Sequence, residues 1–329
     1  GYMQFVEIAR EIDKKEVKIL VFDEPTAVLT ETEADRLLGS LRRLAADGIS
    51  ILFITHRLDE VMAVADRITV LRDGEAVARL NKDEAVVERI AELMVGRRIE
   101  KVDLPPRDKE PGDEDLAFTI DNLMVDMPGE MVRGLSLSVR RGEILGIGGL
   151  AGHGKLGIAN GIMGLYPASG RVSKNGDLIP LNSPEQVLLE GLAFVSEDRR
   201  GVGLLLDEPI ERNIGVTAMQ VQHKFLRPWP RFLSGLRLED RKELRAYSEE
   251  MIRKLDIRCL GPTQPVRSLS GGNQQKVCVA KALALDPEIL FVSEPTRGID
   301  VGAKRLVLDL LVRLNREHNV TILMTSSEL

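Results

Sequence analysis

The chain repeats itself. "DEPTAVLT" at residues 23–30 lines up with "SEPTRGID" at 293–300, "VEIAR" at 6–10 with "VCVAK" at 277–281, and "ISILFITHRL" at 49–58 with "VTILMTSSEL" at 320–329, always at a shift of 270 or 271 residues. A shift that constant means two copies of one domain, so any architecture proposed for one stretch has to serve the other as well. Between the copies, "RRIEKVDLPPRDKEPGDED" (97–115) is rich in proline and alternating charge and has no apolar period, which is the composition of a linker. The expected division is residues 1–96 as the C-terminal third of the first copy, 97–115 as the linker, and 116–329 as a nearly complete second copy.

Within both copies short apolar runs recur: "KILVFDE", "ISILFITH", "EILGIGG", "GLAFVSE", "EILFVSE" and "VTILMTS". Their β-branched content and lack of alternation predict strands buried on both faces of a parallel sheet. Helices are expected between them. Thr30 with Glu33 forms a capping box ahead of Leu37, Leu38, Leu41 and Leu44, which recur at helical spacing. "ITVLRDGEAVARL" (68–80) reads as a β-hairpin turning at Asp73-Gly74, and residues 205–269, which lack such apolar strands, read as a mostly helical insertion. The fold class is α/β, with a parallel sheet at its core, a helical subdomain and an antiparallel β subdomain.

Each apolar run ends in polar or glycine residues: Asp23-Glu24, His56, the glycines from Gly149 on, Glu197, Ser293-Glu294 and Ser326-Ser327. Open parallel sheets bind ligands beyond the carboxyl ends of their strands, so each copy should gather these side chains in one crevice. "GLAGHGK" (149–155) has the spacing of a phosphate-binding loop, Gly149, then four residues, Gly154 and Lys155, after a strand and before a helix. Glycines let main-chain N–H groups turn toward phosphate oxygens, the following helix adds its dipole, and Lys155 adds a charge. The next position, where such loops carry a metal-binding hydroxyl, is Leu156, and His153 reads as a bystander. "LSGGNQQK" (269–276) reads either as a Ser N-cap with flexible glycines or as a ligand-binding turn, and its place upstream of "EPTRGID" favours the second.

Bulk properties exclude several classes. A net charge of −6 gives no long-range attraction to nucleic acid or an anionic membrane, so phosphate has to be held by local geometry. No run approaches the ~18 consecutive apolar residues of a spanning helix, and no signal-peptide pattern opens the chain, which points to the cytoplasm. Cys259 and Cys278 have no metal-ligand spacing and are expected to be reduced thiols.

Taken together, "FDEPTAVLT", "ITHRLDEVMAVADRITVLRDG", "VSEDRRGVGL", "LSGGNQQKV" and "EPTRGIDVGAK" resemble the tandem-cassette ATPases of the ATP-binding-cassette (ABC) family that energise bacterial import of simple sugars such as ribose, galactose and xylose. The resemblance covers essentially the whole chain and implies a P-loop NTPase fold of ABC type. Gly1-Tyr2-Met3-Gln4 matches the tail of copy one's own signature motif, which implies a protein extending upstream. In that family two cassettes sandwich ATP and Mg²⁺ head to tail. By resemblance Asp23 holds the Mg²⁺ shell, Glu24 polarises the attacking water and His56 contacts the γ-phosphate, although a buried structural histidine is the other reading of His56. Ser270, Gly271 and Gly272 complete that site from across the interface. The second site draws on Gly149, Gly152, Gly154, Lys155, Glu197, Glu294 and Asp300 for nucleotide and catalysis.

The departures from the family pattern fall together in copy two. Leu156 replaces the hydroxyl ligand, Ser293 replaces the acid, Ser327 stands where copy one has His56, and no aromatic near Leu123–Met127 is available to stack on adenine. Loss of one such group costs roughly 10²–10⁴ in rate, so hydrolysis at the second site is not expected. The resemblance further implies membrane permease subunits as partners, ATP-dependent cassette dimerisation, an indirect link to a periplasmic or lipid-anchored sugar-binding protein, and a peripheral position on the cytoplasmic face of the membrane. A nucleoside importer is an alternative, as is a soluble ribosome-associated tandem cassette. "HKFLRPWPRFLSGLRLEDRKELR" (223–245) offers basic residues and Trp229 for RNA, but interleaved Glu239, Asp240 and Glu243 favour an exposed helical face, and no nucleic-acid partner is expected.

Overall fold

The computed structural model describes residues 17–26, 29, 31–72, 74–96, 115–150, 152–228, 237–297, 299 and 301–327. Thr30, Asp73, Trp229, Asp300 and most of the linker lie outside these residues. The chain forms two compact units, 1–103 with 300–303, and 104–299 with 304–329.

In the first unit β1 (Ile19–Asp23) and β2 (Ser50–Ile54) pair in parallel, in register from Ile19 opposite Ser50 to Asp23 opposite Ile54. Between them runs α1 (Glu31–Ala46), whose Leu37, Leu38 and Leu41 pack on Leu20 and Phe22. This is the helical spacing read in the sequence. Among the described residues, helix α1 covers one face of this sheet, and Ile19, Val21, Leu52 and Ile54 on the other are 67%, 61%, 56% and 46% exposed. That corrects the expectation of burial on both faces. An apolar run reports what a strand can bury, whereas burial itself needs a second layer, and the described residues of this unit place α1 on one side. A short α2 (Leu58–Val64) leads to the hairpin β3 (Arg67–Arg72) and β4 (Glu75–Asn81), which turns at Gly74 as expected, and α3 (Val87–Val95) closes over it through Ile90 and Ala91.

The second unit holds two four-stranded sheets. One is antiparallel, in the order β6-β5-β8-β9, from β5 (Leu116–Val125), β6 (Val132–Arg140), β8 (Ala168–Lys174) and β9 (Asp177–Leu178). The other is parallel, in the order β10-β13-β14-β7, from β7 (Ile144–Gly148), β10 (Leu192–Val195), β13 (Ile289–Ser293) and β14 (Thr321–Ser326). Helix α4 (Lys155–Ile162) follows β7, and α5 (Pro184–Leu189) precedes β10. Central β13 is buried at every residue, with Ile289 and Phe291 feeding one core and Leu290 and Val292 the other. Here the both-faces reading holds, because β13 has layers on both sides. Phe291 meets Phe118 of the antiparallel sheet edge-on, with ring centroids 5.6 Å apart, and so joins the two sheets.

Helices α6 (Ile210–Gln222), α7 (Arg241–Lys254) and α8 (Gly271–Leu283), with α9 (Val301–His318) from Lys304 on, complete the unit. The insertion 205–269 is not wholly helical: β11 (Leu226–Pro228) and β12 (Arg237–Glu239) form a short antiparallel hairpin. The helical face read over 223–245 therefore starts only at Arg241, where the Asp240 carboxylate accepts from the amides of Lys242 and Glu243 and caps α7. Pro228 has no N–H to donate to a helix, and a proline at the end of a short edge strand costs nothing.

Cys278 on α8 is buried, and burial pushes its thiol up to about 12, while Cys259 is half-buried. Both thiols are free. Since the thiolate is the nucleophile, alkylation of the folded chain near pH 8 is expected to label Cys259 and spare Cys278 until denaturant is added, as read by mass spectrometry. Among the described residues, no helix is long and apolar enough to cross a membrane.

Candidate functional site

The two copies turn the same corner after the strand that carries their acidic pair. In the first unit Glu24 follows β1 with φ +44°, and its amide donates to the Ile54 carbonyl at 2.8 Å. In the second Glu294 follows β13 with φ +47°, and its amide donates to the Thr325 carbonyl at 2.9 Å. A glutamate in the left-handed region is strained, and the same strain in both copies places each carboxylate at the carboxyl edge of its sheet.

What each carboxylate meets differs. Glu24 is half exposed and lies 2.8 Å from His56 Nδ1, with Asp23 exposed beside it. Thr26 and Thr55 donate to the buried Glu60 at 2.8 and 3.3 Å, and Glu60 also meets Arg57 at 2.7 Å. This polar layer fixes the turn beneath Glu24 and the strand end that carries His56. A carboxylate backed by a histidine at the carboxyl edge of a sheet is suited to orient a water molecule.

Glu294 is 4% exposed, and its oxygens accept from the Ser327 amide at 3.0 Å and from the Ser327 hydroxyl. Ser327 thus meets Glu294 as His56 meets Glu24, with a short hydroxyl in place of an imidazole ring. Lys155, 3% exposed, lies 3.4 Å from Glu294 and donates to the Leu150 carbonyl at 3.2 Å. Ser293 is fully buried and its hydroxyl has no hydrogen-bond partner.

The glycine-rich loop wraps onto the start of α4, with Gly152 and Gly154 at φ +85° and +86°. The amides of Gly152, Gly154 and Leu156 all donate to the Glu130 carboxylate, at 2.7, 2.9 and 3.4 Å. Three main-chain donors on one carboxylate make an anion-binding cradle that fits a phosphate group. A divalent metal fits this unit poorly, because Leu156 brings no oxygen and Ser293 brings a buried neutral hydroxyl. Among the described residues no cluster of three or more His, Cys, Asp or Glu could hold a metal.

Of the other sequence-derived candidates, Gly149 opens the loop and His153 points outward, its amide donating to the Leu150 carbonyl. Glu197 is half-buried and accepts from Asn160 of α4 at 3.3 Å, so it faces the helix that the loop starts. Ser270 occupies the N-cap position of α8, yet its side chain caps no amide and instead accepts from Asn273 at 3.0 Å, leaving an exposed hydroxyl beside Gly271 and buried Gly272. Arg199 donates to the Gly271 carbonyl at 2.8 Å. Asp300 lies outside the described residues. His223 and His318 are exposed. Sequence reasoning missed Glu130 and Asn160, since neither belongs to a spaced motif.

A family model described as ABC transporter matches residues 132–297. The chain is 43% identical over 99% of its length to the ribose import ATP-binding protein RbsA 2 of Rhizobium meliloti, of which it covers 60%. It is 38% identical over its full length to the xylose import ATP-binding protein XylG of Thermoanaerobacter pseudethanolicus, of which it covers 63%. The chain thus spans about three fifths of the length of these curated relatives. In fold it is similar to an ATP-binding cassette of an ABC transporter, with TM-score 0.52 and 19% identity over 65% of this chain and 82% of the other. It is likewise similar to cbiO1 from Clostridium perfringens, with TM-score 0.50 and 20% identity over 65% of this chain and 79% of the other.

Proposed function

The chain belongs to the ABC transporter family, and from that premise we propose that it forms part of the ATP-binding subunit of an importer that couples ATP hydrolysis to uptake of a simple sugar, with one competent and one degenerate catalytic centre. The observation that carries this reading is the contrast in side chains between the two copies: Glu24 meets His56 and follows Asp23, whereas Glu294 meets the Ser327 hydroxyl and follows the buried, unpartnered hydroxyl of Ser293. The names of the ribose and xylose import relatives supply the substrate class.

In this reading hydrolysis proceeds by positioning and charge neutralisation. Glu24 orients water, His56 holds the γ-phosphate, and Asp23 would hold the Mg²⁺ that neutralises developing charge. The Ser270–Gly272 turn at the start of α8 serves the nucleotide of a facing cassette, where the exposed Ser270 hydroxyl and the helix-end amides meet the γ-phosphate. Closure and reopening of the cassette pair pass to membrane permease subunits through the 205–269 insertion, at the cytoplasmic face of the membrane, and a sugar-binding protein delivers the cargo on the other side.

The 149–155 loop is read as a nucleotide site that has lost its metal. Equilibrium binding of ATP to the 329-residue chain, with and without Mg²⁺, tests this. Weak binding, altered less than about threefold by the metal and abolished by Lys155→Ala, is expected. Binding that tightens tenfold or more with Mg²⁺ would show a working metal site and sink the asymmetric reading.

A further inference from the structure

The phosphate cradle of the second unit holds an anion supplied by the chain itself. Glu130, in the turn that joins β5 to β6, is 8% exposed, and its carboxylate takes the amides of Gly152, Gly154 and Leu156. A second observation shows that the turn is seated along the loop. A Cβ at Gly154 would lie 2.4 Å from the Met131 carbonyl, one at Gly157 would lie 2.2 Å from the Glu130 carbonyl, and one at Gly152 would meet the Gly129 carbonyl at 3.5 Å. The backbone of residues 129–131 thus runs against three glycines of the loop and helix, two of which admit no side chain without displacing it. Glu130 is held at this place by the covalent path of the turn, whose amide at Glu130 bonds back to the Met127 carbonyl at 3.0 Å.

We propose that Glu130 is a built-in phosphate mimic that competes with the polyphosphate of a nucleotide for the 149–156 loop. The inference rests on reading that loop as a nucleotide site. The cradle needs a negative group with two or three acceptor oxygens, and a carboxylate meets the requirement as a phosphate does. Lys155, the loop's other positive group, is meanwhile turned to Glu294. The amides of Gly152, Gly154 and Leu156 and the Lys155 ammonium are therefore engaged by two of the chain's own carboxylates, Glu130 and Glu294. Nucleotide binds only when Glu130 swings out, and the apparent affinity falls by the fraction of time for which the cradle is open. If that fraction is roughly 1–10%, the affinity is lowered about 10–100-fold.

The test is equilibrium binding of ADP and of pyrophosphate to the whole 329-residue chain as wild type, Glu130→Ala, Glu130→Gln, Lys155→Ala and the Glu130→Ala/Lys155→Ala pair, with each variant's thermal midpoint checked. Glu130→Ala is expected to bind both ligands at least about tenfold more tightly than wild type, Glu130→Gln to fall between them, and the added Lys155→Ala to reverse the gain. Glu130→Gln keeps the side chain's shape and an acceptor oxygen, so it reports even where Glu130→Ala unfolds. Equal or weaker binding in both Glu130 variants, still dependent on Lys155, overturns the mimic and leaves the nucleotide site standing. Absence of binding in every folded variant, or binding indifferent to Lys155→Ala, overturns the nucleotide reading and the mimic with it.

Discussion

ATP turnover by a protein that carries these residues within complete paired cassettes is expected to fall about 10²–10⁴-fold when Glu24 is replaced by Gln, measured as steady-state phosphate release. The substitution keeps the shape that meets His56 at 2.8 Å but removes the charge that orients water. ATP binding should persist, so the loss appears in kcat more than in KM. The informative partner is Ser327→Ala, which removes the hydroxyl that donates to Glu294 in the other copy. Turnover there is expected to stay within about threefold, because a site whose metal position holds Leu156 and Ser293 contributes little to the rate it could lose. A drop of a hundredfold on Ser327→Ala would place chemistry in the second unit and refute the asymmetry.

The largest effect on stability is expected at Phe291. Its ring is 1% exposed on the central strand of the parallel sheet and meets Phe118 edge-on. Phe291→Ala removes the packing that ties the parallel and antiparallel sheets, and the loss is expected to be about 3–5 kcal/mol. Urea denaturation followed by circular dichroism should show the transition of the larger unit moving to lower denaturant. Ile19→Ala, on a strand of similar composition, is expected to change stability by no more than about 0.5 kcal/mol, because Ile19 is 67% exposed. Equal losses at the two positions would contradict the burial described for β1 and β13.

These two residues also show how far sequence reasoning reaches. Apolar runs located β1, β2, β7, β10, β13 and β14, since a run of β-branched residues ended by a polar pair is a local signal. Whether both faces of a strand are covered is not local. Ile19 and Phe291 read alike in sequence and differ in burial because β13 sits between two layers and β1 has one among the described residues. The pairing of β11 with β12 escaped notice because each strand is three residues long and β11 ends in Pro228, whereas the capped start of α7 at Asp240 is a pattern the sequence does display. Within the candidate site the losses at Leu156, Ser293 and Ser327 were legible as departures from a spaced motif. Glu130 was not, because its contact with the loop arises from a turn more than twenty residues upstream, and spacing carries no trace of a tertiary approach.

The matched left-handed turns at Glu24 and Glu294 bear on how such a pair of copies can change over time. Each turn is set by a strand, a carbonyl partner and the packing beneath them, and in the second unit that frame persists beneath altered side chains. Backbone geometry is the slow part of a catalytic centre to acquire, and side-chain identity is the fast part. Under the proposed asymmetry, silence in the second copy would be written in a handful of positions, chiefly Glu130, Leu156, Ser293 and Ser327, on a backbone frame that both copies share. A lineage could regain a second active centre by a short walk of single substitutions, with no need to invent a fold.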